Sequence, residues 1–62
     1  MNETNWKRVQ AIYERALELD DMGYHDDAKK KYHEAYALLS YELNKLNSEQ
    51  LSLYRIIYSK IT

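Results

Sequence analysis

Few side chains in this sequence are placed to do chemistry, and each small group of them fails a specific geometric requirement. His25 and His33 are eight residues apart, whereas two histidines that share a metal from one helix face stand at i and i+4. The acidic set Glu18, Asp20, Asp21, Asp26 and Asp27 lacks the alternating ligand spacing and central glycine of a calcium loop. No glycine-rich phosphate loop and no nucleophile-elbow serine is present. Lys29, Lys30 and Lys31 are consecutive, so on a helix they point about 100° apart and form no single basic patch. The reading is a non-enzyme with no catalytic residues, no metal ligands and no cofactor.

One carboxylate does call for a partner. Asp20 falls within the apolar arc of the first predicted helix and close to its C-terminus, where the helix dipole disfavours an anion. The expectation is a hydrogen bond to the start of the next helix or to a tyrosine hydroxyl, because half-buried carboxylates are normally hydrogen-bonded.

The elements that carry these residues are helical. Proline is absent and Gly23 is the single glycine, so the backbone is punctuated in few places. Trp6, Val9, Ile12, Tyr13, Ala16, Leu17 and Leu19 recur at spacings of three and four and define the apolar face of a helix over about 5–22, with Thr4 or Asn5 as its N-cap. Gly23 ends it, since a left-handed residue after a helix favours glycine. A second helix over about 26–46 starts with Asp26 and Asp27 at its positive end. Its stripe is Ala28, Tyr32, Ala35, Tyr36, Leu39, Leu43 and Leu46. A third, over about 49–61, follows a cap at Asn47 or Ser48, with Gln50 completing a capping box on Asn47. Its inward stripe reads Leu51, Tyr54, Tyr58 and Ile61, while Leu53, Ile56 and Ile57 widen its apolar arc.

The chain is therefore read as one all-α domain, a small three-helix bundle. At 62 residues such a core rarely supplies more than about 3–5 kcal/mol without a disulfide, a metal or a second chain. Cysteine is absent, which excludes disulfides and fits a reducing, cytoplasmic setting. Seven tyrosines and no phenylalanine suit a thin core whose rings keep their hydroxyls at the wet edge. Nine basic and ten acidic side chains leave a net charge of −1, so no positive field draws the protein to nucleic acid. The longest apolar run, Ala35–Leu39, is far below the roughly 20 residues of a membrane-spanning helix, and the N-terminus has no signal pattern.

The segment from Ile12 to Leu39, with Ala16, Asp20, Gly23, Ala28, Tyr32 and Ala35, resembles a tetratricopeptide hairpin and, more closely, the MIT (microtubule-interacting and trafficking) domain. In both families small residues let two antiparallel helices approach, and a glycine turns the chain between them. The MIT resemblance implies a third helix and recognition of a segment of another protein in a groove beside it. Surplus apolar surface gives the same direction. The expected surface lies on helices two and three, with Leu38, Tyr41, Leu53, Ile56 and Ile57 as anchors and Lys45 and Lys60 at the rim. Its occupant is another protein, or a second copy of the chain in a homodimer.

Overall fold

The computed structural model describes residues 1–62 as three antiparallel helices. Helix α1 spans Glu3–Asp21, α2 spans His25–Tyr41 and α3 spans Ser48–Ile61, with a 3-10 turn at Leu43–Lys45 between the last two. Both α1 and α3 pack chiefly on α2 and approach each other only weakly. The terminal amino group of Met1 lies 3.3 Å from the Lys45 carbonyl oxygen, and Lys60 sits over the ring of Tyr32. These contacts put the starts of α1 and α3 at one end of the bundle and the end of α3 beside the hairpin turn.

Local chemistry accounts for each boundary. The N-cap of α1 is Asn2, not Thr4 or Asn5. Its backbone is extended, and its side chain accepts from the Asn5 amide at 2.8 Å. At the other end Gly23 has φ +88. Its amide donates to the Asp20 carbonyl at 3.0 Å and that of Tyr24 to the Leu19 carbonyl at 2.8 Å, the paired bonds of a Schellman motif. A Cβ added to Gly23 would meet nothing within 4 Å, so the requirement there is backbone conformation alone. Gly23→Ala should accordingly destabilise by about 1–2 kcal/mol, read as a lowered melting temperature by circular dichroism. An unchanged melting temperature would rule out the left-handed turn.

Helix α2 stops at Tyr41 rather than running to Leu46. Asn47 caps α3 and must be extended to do so (φ −80, ψ 179), so the chain has to leave helical geometry before it. Leu46 is already extended, and its side chain packs back against the core. The capping box is complete: Asn47 Oδ1 accepts from the Gln50 amide at 2.9 Å and Gln50 Oε1 accepts from the Asn47 amide at 3.1 Å.

Eight apolar residues are buried: Val9, Ala16 and Leu19 from α1, Ala28, Tyr32, Ala35 and Leu39 from α2, and Ile57 from α3. Three are alanines, whose small side chains let α1 and α2 lie close together. The remaining buried residue is Gln50, the capping partner. The inward face of α3 is thus Gln50, Leu53, Tyr54, Ile57 and Ile61. Tyr58, expected to point inward, is 51% exposed. Ile57, expected as a surface anchor, is a core residue with no exposed area. The bundle is only 16 Å across its shortest dimension, which is why so many of its rings are partly wet.

Candidate functional site

Two features stand out above the helical scaffold: a polar tie at the hairpin tip and an apolar groove on the opposite side from α2.

The tie is built on Asp20. Its Oδ2 accepts from the Tyr32 hydroxyl at 2.9 Å, and the His25 imidazole donates through Nδ1 to its Oδ1 at 2.9 Å. One carboxylate thus joins the end of α1 to the first residue of α2 and to a ring two turns further on, meeting both forms of the expectation for it. The bond from His25, then that from Tyr32, holds the Asp20 carboxyl below its ordinary value. Burial first, and the bond to the Asp20 anion second, push the Tyr32 hydroxyl up to about 12. Asp20 stays ionised and Tyr32 protonated across the neutral range, so the pair does not shuttle protons at neutral pH and works as a structural clasp. Lys60, expected on a groove rim, instead places Nζ 5.9 Å from the Tyr32 ring centroid, within cation–π range.

The tyrosines sort by depth. Tyr32 is enclosed and lies 6.0 Å from Tyr13, centroid to centroid. Tyr36 and Tyr54 stack at 5.0 Å, and the Tyr54 hydroxyl donates to that of Tyr36 at 3.1 Å. This bond, with burial second, raises the titration of Tyr36. Tyr58 approaches Tyr36 at 6.0 Å. Tyr41 is 88% exposed.

The groove runs between α1 and α3. Trp6, Gln10, Tyr13, Glu14 and Leu17 line it from α1, and Glu49, Ser52, Leu53 and Ile56 from α3, around a volume of about 430 Å³. Of the anchors expected from sequence, it brings together only Leu53 and Ile56. Leu38 packs against the core, and Ile57 lies inside it. Tyr41 belongs to a separate shallow surface with Tyr36, Ala37 and Ser40, and Lys45 sits in the 3-10 turn. Of the two apolar depressions, the one that holds Leu53 and Ile56 is thus walled by α1 and α3, and the one that holds Tyr41 lies on α2. Trp6, Tyr13 and Leu17 belong to the apolar face expected of α1, an arc broader than contact with one neighbouring helix can cover.

No group of three or more His, Cys, Asp or Glu side chains is arranged to hold a metal ion, and no helix is long and apolar enough to cross a membrane. No protein-family model matches the chain, and comparison with curated proteins and with solved structures gives no match.

Proposed function

We propose that this chain is a non-enzymatic protein-interaction module, a small cytoplasmic regulator whose α1–α3 groove receives an apolar segment of a partner protein. The groove itself is the observation that carries this reading. Two helices pack on α2 rather than on each other, and the space between them is lined by Trp6, Tyr13, Leu17, Leu53 and Ile56. Tryptophan and tyrosine are the residues that most often dominate binding energy at interfaces. The likeness of the hairpin to MIT domains supports the same class of function, and the cysteine-free sequence suits a reducing compartment.

Trp6 is the only tryptophan and lines the groove, so it reports occupancy directly. A partner captured from native extract and then purified is expected to shift Trp6 emission to the blue, as water leaves the indole. Its affinity should fall on the order of thirtyfold with Ile56→Asp, the loss of an anchor of about 2 kcal/mol. Equal binding by wild type and Ile56→Asp, with Trp6 emission unmoved, would refute the assignment.

A further inference from the structure

We propose that the segment received by the α1–α3 groove is an amphipathic helix with lysine or arginine flanking its apolar anchors. This inference rests on the groove being the interaction site and adds the shape and charge of what enters it.

The shape follows from the packing. With α1 and α3 running in the same direction and both resting on α2, the groove occupies the fourth position of a four-helix bundle. The α1 lining extends from Trp6 to Leu17, about 16 Å at the helical rise, or three turns of a guest helix. A helix laid there buries its apolar face on Trp6, Tyr13, Leu17, Leu53 and Ile56 and keeps its own backbone hydrogen bonds satisfied.

The charge follows from the rim. Both charged residues in the lining are carboxylates, Glu14 from α1 and Glu49 from α3. Elsewhere on the surface Glu3 pairs with Lys7, Glu18 with Arg15 and Glu34 with Lys31, whereas neither Glu14 nor Glu49 takes part in an ion pair. Glu49 stands in the first turn of α3, where the helix dipole favours the anion. Arg15, next to Glu14 in sequence, is paired with Glu18, and no lysine or arginine lines the groove. A second copy of this chain docked groove to groove would bring two more carboxylates and no lining cation to meet them, whereas complementary interfaces match opposite charges. A helix with cations beside its anchors meets both Glu14 and Glu49.

The test uses a displayed library of helices with fixed apolar positions and randomised flanks, selected in parallel on wild type, Ile56→Asp and the double variant Glu14→Lys, Glu49→Lys. Circular dichroism establishes that each is folded. Wild type should enrich lysine and arginine at the flanks. The double variant should enrich aspartate and glutamate instead, and should bind wild-type-selected peptides more weakly by up to about fivefold for each ion pair lost, a difference that shrinks with added salt. Peptides that depend on Ile56 but show no charge preference would overturn this inference and leave the groove standing. An absence of any Ile56-dependent peptide would overturn the groove as well. Self-association of the wild type that Ile56→Asp abolishes would assign the groove to a second copy and overturn the proposal of a basic partner.

Discussion

Ile57→Ala is expected to leave the protein only marginally folded at room temperature, while the same change one residue earlier, Ile56→Ala, should cost no more than about 1 kcal/mol. Ile57 has no exposed area and is the one apolar residue of α3 that is fully buried, whereas Ile56 is 44% exposed. Truncating a buried isoleucine to alanine removes about 2–5 kcal/mol through lost transfer energy and the cavity left behind. A core of this size supplies only about 3–5 kcal/mol, so one such cavity consumes nearly all of it. Chemical denaturation of the two variants side by side checks this directly. Equal losses at both positions would mean that α3 is rotated from the orientation described. The contrast also matters for the binding experiments, because Ile56 can be changed to probe the groove without dismantling the fold.

The second large effect is alkaline. Tyr32 titrates at about 12 in the folded protein against 10.0 for an ordinary tyrosine. Below pH 10 the hydroxyl is protonated in both folded and unfolded chains, and its contribution to stability is fully present. Between pH 10 and about 12 the unfolded chain releases this proton while the folded one keeps it, so the equilibrium moves toward unfolding. The two-unit difference corresponds to roughly 2–3 kcal/mol, most of what the core supplies. Tyr32→Phe should flatten this alkaline limb. A residual slope should remain, because the titration of Tyr36 is also raised. Asp20 acts at the other extreme: its folded value is depressed below 3.8, so the stability it contributes is present above that pH and is lost as pH falls through the folded value. Asp20→Ala should remove the acid dependence and lower the melting temperature at neutral pH, and the second loss should shrink in a Tyr32→Phe background. Melting temperatures that fall by the same amount in both backgrounds would show that Asp20 and Tyr32 act independently.

Local backbone chemistry is legible in the sequence at the hairpin turn and at the start of α3, but not at the start of α1, where the cap is Asn2 and not Thr4 or Asn5. Gly23 has one strong reason to stand where it does, and Asn47 with Gln50 forms a cap whose two bonds are separated by three residues. Ala16, Ala28, Tyr32 and Ala35 are all buried, as their spacing in the hairpin implied. Gln50 serves two purposes at once. Its polarity and its capping role set it apart from the hydrophobic stripe, yet it is itself buried. Counting it sets the inward face of α3 as Gln50, Leu53, Tyr54, Ile57 and Ile61 instead of Leu51, Tyr54, Tyr58 and Ile61. The end of α2 was missed because no glycine or proline marks it. It is set from downstream, by the extended backbone that Asn47 needs as a cap. The α1–α3 groove is not legible for a non-local reason: it exists because both helices pack on α2 rather than on each other, and no periodicity within a single helix encodes that.

That arrangement, with α2 in contact with both neighbours and α1 and α3 nearly independent of each other, also governs the order of assembly. Nearly all inter-helix packing joins segments adjacent in the chain, the pattern of proteins that fold in microseconds to milliseconds. The α1–α2 hairpin holds the denser packing and seven of the eight core residues, so it is expected to form first, with α3 joining afterwards. In the folded state the same asymmetry makes α3 the unit that detaches first, with its amides exchanging hydrogen faster than those of the hairpin. A guest held between α1 and α3 would clamp the least secured helix in place, and slower exchange along α3 would be the imprint of its arrival.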